Sequence, residues 1–407
     1  MTGTGTRTRL HRNIVALGFV SLLTDLSSEM IYPLLPVFLT AVLGAGPAAL
    51  GIIEGVAETT ASLLKLFSGV WSDRVGKKKP LVVAGYALST VARPLVGVAA
   101  AWGHVLAIRF ADRIGKGVRT SPRDALVASS VAPEDRGRAF GLQRAMDHLG
   151  AVLGPLAAFL LMAGAGLSYR PVFLLSVIPG LAAVATLMFF VREPGAPPPA
   201  HAGGRLRDGG LPPEFRRYLL IVCLFTLGNA SDAFLILRAV DAGVPAAYVP
   251  LLWGAFHVVK SSLAAPAGIL SDRWSRKTLI VGGWLVYAAC YGAWAFASGP
   301  ASVVGLFLAY GLFAAATEGA ERAFVADFVP AERRGTAFGW FHLAVGLSAL
   351  PASVMFGILW SRFGAPAAFG VSACLALAAS GLLVLLPAPG ISRPSAPSAG
   401  SRAPGSP

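Results

Sequence analysis

The chain reads as an all-α membrane protein with twelve transmembrane helices in two pseudo-symmetric six-helix bundles. Three observations predict this. First, mean hydropathy is +0.67 over 407 residues, 55% of them hydrophobic and 13% charged, which is too apolar for an ordinary soluble domain. Second, apolar runs of about 20 residues recur along the whole chain, the length needed to cross a hydrocarbon layer of about 30 Å. Third, short patterns return in the same order about 200 residues later. "GVWSDRVGKKKPLVVAGY" from Gly69 matches "GILSDRWSRKTLIVGGW" from Gly268, "VAPEDRGRAFG" (131–141) matches "FVPAERRGTAFG" (328–339), and "LTDLSSEM" (23–30) weakly matches "LGNASDAF" (227–234). Three matches in one order imply a duplicated six-helix unit, the architecture in which a central site forms between the two copies.

The first span, 13–40, follows a basic start like that of a signal peptide. Its apolar run contains Asp25 and continues through Pro33 to Leu39 with no small-residue cleavage site, so it is expected to be retained as a helix. The later spans are expected at 49–71, 80–100, 103–126, 139–163 and 170–191, then at 218–240, 246–270, 278–297, 301–327, 336–359 and 366–387. Between the sixth and seventh lies "REPGAPPPAHAGGRLRDGG", whose Pro, Gly and Arg cannot build a core. The expected organisation is therefore an N-terminal bundle at 1–191, a cytoplasmic linker at 192–217, a C-terminal bundle at 218–387 and a disordered cytoplasmic tail at 388–407. Prolines inside the spans (Pro33, Pro36, Pro94, Pro155, Pro179, Pro266 and Pro351) suit kinked helices.

Lys and Arg in the short loops set the orientation. Arg7, Arg9 and Arg12, then Arg74 with Lys77 to Lys79, Arg136 with Arg138, the linker arginines, Arg273 with Arg276 and Lys277, and Arg333 with Arg334 all fall on one side. The other side has little beyond Arg170, Arg238 and Arg362. Both termini are expected in the cytoplasm of a cell (plasma or inner) membrane. This asymmetry accounts for the formal net charge of +14 without a nucleic-acid partner. The three cysteines lie inside apolar runs with neither a disulfide frame nor metal-ligand spacing.

Gly69, Asp73, Arg74, Gly76, Lys77 and Lys78 form the pattern G-x-x-x-D-R-x-G-K-K, and Asp272 and Arg273 repeat its core, with Ser275 in place of the second glycine. On these residues the chain resembles the major facilitator superfamily over nearly its full length. "RIGKG", with Arg113 and Gly117, resembles that family's helix 4 pattern, Lys116 standing where the family has glutamine. "GAVLGP", with Gly150, Gly154 and Pro155, resembles the helix 5 pattern of the drug–proton antiporter branch, in which it goes with export. The trailing glycine pair of that pattern is Ala158 and Phe159 here, so the match is partial. The resemblance implies a carrier that works by alternating access, with a gating loop at Gly69 to Lys78. It supplies no substrate. As a packing feature, Gly150 and Gly154 equally suit a close helix contact.

The most charged stretch is "RFADRIGKGVRTSPRD", Arg109 to Asp124, with seven ionised side chains in sixteen residues. At about 100° per residue they share one helix face. Placing them toward lipid costs about 2.5–3.5 kcal/mol each even on the lenient insertion scale. The stripe is therefore expected to face a water-filled cavity or partner helices, with Arg119 to Asp124 in structural ion pairs at a helix end and Arg109, Arg113 and Lys116 in the cavity. Helix 1 sets Ser21, Asp25, Ser28, Glu29 and Tyr32 on one face, helix 2 lines up Glu54, Glu58, Ser62 and Lys65, and helix 5 adds Arg144, Asp147 and His148. The C-terminal half offers Asn229, Asp232, His257, Lys260, Glu318, Glu321, Arg322 and His342, while Trp253, Trp340 and Phe341 can supply an aromatic wall. A carboxylate beside an Arg can change protonation as that Arg is occupied or released. The expected proton-coupling residues are therefore Asp25 paired with Arg113, then Glu58 and Glu29.

The expected function is proton-coupled efflux of a small organic compound by a monomer, with protons, the lipid bilayer and the substrate as its partners. The rival is a carrier of an organic anion or phosphate ester, with Arg109, Arg113 and Lys116 binding the anion. A membrane enzyme is disfavoured because the chain has no G-x-S-x-G, no H-E-x-x-H and no nucleotide-binding loop; a non-transporting sensor would retain the fold and show no flux. No cofactor is expected.

Overall fold

The structure, a computed structural model, describes residues 12–75, 78–132, 135–193, 211–273, 275–329 and 334–387. Helix α1 covers Arg12–Val42. It is α-helical to Glu29, tightens into a 3-10 turn at Tyr32–Leu34 and ends in a π turn at Phe38–Val42. Pro33 and Pro36 explain the break, since each removes a backbone donor and crowds the preceding turn. Helix α2 is Pro47–Val75, α3 is Lys79–Val98 with a 3-10 end that starts at Arg93 beside Pro94, and α4 is Trp102–Ser129. Helix α5 is Arg136–Phe159 with a π turn to Gly164, and α6 is Tyr169–Phe190, interrupted at Ser176.

The second series begins with α7, Pro213–Asp241, unwound over residues 229–232. It starts at Pro213, inside the stretch expected to be linker, because Pro at the first turn and Glu214 beside it favour a helix N-terminus. Then follow α8 (Val249–Arg273), α9 (Arg276–Phe296), α10 (Pro300–Asp327), α11 (Arg334–Phe363) and α12 (Ala365–Leu385). Gly299 and Gly364 open α10 and α12 with φ of 79° and 85°, left-handed backbone that a side chain would strain. The remaining linker, 194–210, and the tail, 388–407, lie outside the described residues.

Among the described residues, nine helices are long and apolar enough to cross a membrane. Helices α2, α4 and α8 do not meet that measure, and α2 and α4 carry the charged stripes. Large apolar side chains such as Phe189, Leu220 and Phe296 stand exposed on the outer surface, as a lipid-facing surface requires. The chain is a multi-pass membrane protein.

The helix pairings repeat. In the first series α1 packs on α5 and α6, α2 on α4, and α3 on α4 and α6. In the second series α7 packs on α11 and α12, α8 on α10, and α9 on α10 and α12. The series meet through α2 against α11 and α5 against α8. Glycine makes the first of these close. A Cβ added at Gly55 would come within 3.0 Å of the Leu350 Cα, and one at Gly357 within 2.5 Å of the Pro47 carbonyl oxygen.

Candidate functional site

Two carboxylates, Asp25 and Glu29, lie one turn apart on α1, and α5 presents a glycine to each. A Cβ at Gly150 would sit 2.9 Å from the Asp25 Cβ, and one at Gly154 2.8 Å from the Glu29 Cβ. The G-x-x-x-G-P pattern thus works as a close helix contact, and what it seats is the acidic face of α1. Pro155 in turn faces Gly254 of α8. Glu29 reaches the other half of the chain: its Oε2 accepts a hydrogen bond from Trp253 Nε1 at 2.8 Å. Trp253 also packs on Tyr32, ring centroids 5.2 Å apart, and on Phe256 and His257.

A second crossing lies beside it. Arg109 of α4 donates to Glu54 Oε1 of α2 at 2.8 Å, and both side chains are buried. Ser231, in the unwound part of α7, donates to Glu54 Oε2 at 3.2 Å and lies 3.4 Å from the Tyr32 hydroxyl. The Arg109 guanidinium stands over the Tyr32 ring at 5.8 Å. The broken helix is what frees Ser231 to point across the interface. Ser231 and Arg93 are the residues that sequence reasoning missed, and Glu54, named there only as part of the α2 stripe, was not singled out as a site residue. Glu54 sits one turn before Glu58 on the same stripe, and that spacing was the available signal.

The expected pairing of Asp25 with Arg113 is not formed. The charges acting most strongly on Asp25 are Asp147, Glu29, Lys116 and Arg93. Arg113 makes no ion pair among the described residues, and its Nε is buried without a hydrogen-bond partner. The reason is helical phase: Asp112, not Arg113, faces α3, where it binds Arg93 at 2.9 Å. Arg93 also donates to the Thr24 carbonyl, so it ties α3 to α1. Arg109, expected in the cavity, is held instead by Glu54 and, at 3.9 Å, by Asp112. Arg119 donates to Ser89 and stacks over Tyr86 at 4.5 Å, while Arg123 pairs with Asp124. The C-terminal part of the stripe is thus held by local partners.

Glu58 stands solvent-accessible in the middle of α2, in the field of Lys116, Lys65, Arg113 and Arg109. Across the interface, Asp232 accepts from the Tyr310 hydroxyl at 2.7 Å, and Asn229 caps the first part of α7, its N–H bonding the Thr226 carbonyl. His257 has both ring nitrogens buried without partners. Glu318 pairs with Lys260 at 3.1 Å and Arg322 at 3.2 Å, and lies 3.9 Å from Arg144 of α5, near His148. The Trp340 indole N–H is buried and unpartnered. Of the gating loop, α2 carries Gly69, Asp73 and Arg74, and α8 carries Asp272 and Arg273, as backbone. The Lys78 N–H binds the Glu193 carboxylate. Gly76 and Lys77 lie outside the described residues. Among the described residues, no group of His, Cys, Asp and Glu side chains could hold a metal ion.

The chain has relatives among known proteins. It is 36% identical over 383 residues to an uncharacterised MFS-type transporter of Methanocaldococcus jannaschii, covering 92% of this chain and 95% of that protein. The multidrug resistance protein MdtH of Salmonella paratyphi B matches at 29% over 136 residues, 33% of this chain and 34% of that one. The solved nucleoside transporter NupG superposes with a TM-score of 0.78 at 10% identity, covering 92% of this chain and 99% of its own. The Major Facilitator Superfamily model matches residues 17–256 and 218–405, so this chain, a transporter rather than an enzyme, belongs to the major facilitator superfamily.

Proposed function

We propose that the chain is a secondary active transporter that exports a small organic compound in exchange for protons by alternating access. All twelve helices span the membrane in this reading. They form two pseudo-symmetric bundles, 1–191 and 218–387, joined by 192–217, with both termini cytoplasmic in the cell membrane, and the carrier acts as a monomer. The recurrence of each helix pairing six helices later supports the duplication. Lys and Arg placement supports the orientation. In that orientation the tight contacts of α2 with α11 and of Tyr32 with Trp253 close the outer end, and the accessible Glu58 opens toward the inside.

The observation that carries the reading is the bond from Trp253 to Glu29. An ionisable group at mid-membrane is costly without a purpose or a partner. Here a carboxylate of one half accepts from a donor of the other, so its charge state counts in whether this end is closed. A hydrogen bond to an ionised acceptor is about twice as strong as one to a neutral group, and taking up a proton therefore weakens the closure. Asp25 sits one turn away, with Glu58 on the neighbouring helix, and these three carboxylates are the proton-carrying groups. Lys116 takes the role expected of Arg113, as the cation whose field reaches all three.

Vesicles containing the purified carrier test this. With Glu29→Gln or Asp25→Asn, uphill transport driven by an imposed pH gradient is expected to vanish while substrate exchange at equal concentrations survives. Unimpaired uphill transport in both variants would remove these carboxylates from the coupling. No flux of any compound in the wild type would remove the carrier reading itself.

A further inference from the structure

Among the described residues, three cations in the interior of the N-terminal half lack a bonded partner. Lys65 on α2 and Arg113 and Lys116 on α4 make no ion pair and no side-chain hydrogen bond among the described residues. The buried cations of α3 and α4 are matched: Arg109 with Glu54, Arg93 with Asp112, and Arg119 with Ser89 and the Tyr86 ring. Arg113 and Lys116 lie three residues apart, so they share a helix face, and each acts on the other as a like charge. The field of all three falls on Glu58. Glu58 is solvent-accessible and makes no ion pair or hydrogen bond with any of them. His342 of α11, in the other half, lies in the field of Lys65, one turn before Gly346, which contacts Ser62 and accepts from the Thr59 hydroxyl.

A concentrated set of like charges in a partly desolvated cavity is unfavourable unless something negative joins it. Of the carboxylates that share this field, Asp25, Glu29 and Glu58, Glu58 is the exposed one and the one on which all three cations act, and it sits beyond ion-pair range. A guanidinium with a buried, unpartnered N–H beside an ammonium is the donor set that recognises a carboxylate or phosphate oxygen. We propose that Lys65, Arg113 and Lys116 form an anion subsite in the cavity between α2, α4 and α11, and that the cargo is a small organic compound bearing an anionic group. Glu58 holds the place of that group in the empty carrier. The proposal deepens the transport reading and rests on it for the word cargo, whereas anion binding itself is independent of flux. Export of such an anion is also favoured by an inside-negative membrane potential.

Thermal unfolding of the purified full-length carrier in detergent tests it, with sodium benzoate, phenyl phosphate and benzylammonium chloride as matched probes. Benzoate or phenyl phosphate is expected to raise the Tm in a saturable way, and benzylammonium is not. Arg113→Gln and Lys116→Gln should each raise the half-effect concentration on the order of tenfold, the size expected for one charge lost at close range in an intermediate dielectric. Lys116→Arg should keep the effect, Glu58→Gln should strengthen it, and Lys79→Gln, at the helix end near Met188, should leave it unchanged. Stabilisation that is absent, that persists in both glutamine variants, or that only benzylammonium produces would overturn the subsite. Failure of the carrier reading looks different: the anion response persists, and no compound crosses the vesicle membrane.

Discussion

The two halves of the molecule share a helix pairing scheme and fill it with different chemistry. The buried charged side chains among the described residues, Glu54, Arg93, Arg109, Asp112 and Arg119, all lie in the N-terminal half. The C-terminal half is built on rings. Phe225 stacks on Trp284 at 4.1 Å, Tyr287 on Tyr291 at 4.0 Å, and Phe256 on Tyr310 at 5.5 Å, and Trp284, Trp294, Tyr287, Tyr291, Phe307 and Phe356 are fully buried. Its polar groups are tied into those rings: Trp284 donates to Glu321, Tyr310 to Asp232 and the Tyr287 hydroxyl to the Gly228 carbonyl. A ring core holds its shape whatever the protonation state around it. An ionic core responds when a neighbouring charge changes. The difference sets a core that responds to charge in the first half against one that does not in the second, which fits the coupling role proposed for the first half.

The sharpest way to break this comparison is to remove one ion. Arg93→Met leaves Asp112 buried with only Arg109, 3.9 Å away, and is expected to lower stability by about 3–5 kcal/mol. Chemical unfolding followed by tryptophan fluorescence reads the effect. In the ring half, Phe225→Leu loses the stack on Trp284 and a few methylene equivalents, for about 1–2 kcal/mol. A ring variant that costs more than the ionic one would reverse the assignment. Replacing both partners sharpens it further. Arg93→Met with Asp112→Leu is expected to unfold within about 1 kcal/mol of wild type, since buried pairs are often neutral against apolar substitutes, while vesicle flux falls more than tenfold. Full flux in that folded variant would show the pair to be packing alone. The smallest effect belongs to Arg144→Gln. Arg144 is 52% exposed and 3.9 Å from Glu318, so its loss should cost no more than about 0.5 kcal/mol.

Much of this fold was legible in the sequence, because the signals were long and periodic. The apolar runs, the one-sided charged face of α4 and the repeated patterns each extend over many residues, and each predicts an element whose partners scarcely matter. Pairings were legible only where the partner is small. Gly150 and Gly154 announce a close helix without saying what they touch, and the answer, Asp25 and Glu29, depends on the register between α1 and α5. Asp25 with Arg113 failed for a related reason. The charged face of α4 is wide enough to meet α2 and α3 at different residues, and a rotation of one position along the helix decides whether Asp112 or Arg113 is buried. The start of α7 at Pro213 was hidden by the polar composition of its first turn, and Ser231 by lying in a break that apolar periodicity reads straight through.

The seam between α2 and α11 has a further consequence. On it, Gly51, Gly55, Gly346 and Gly357 each face a backbone or a short side chain of the opposing helix. Most interfaces freeze rotamers when they form, at a cost of up to about 2 kcal/mol for a long side chain. Glycine has no rotamer to freeze. If the seam parts during the alternating access proposed above, the glycines add no side-chain entropy to the change, which removes one of the terms that would hold it in a single arrangement.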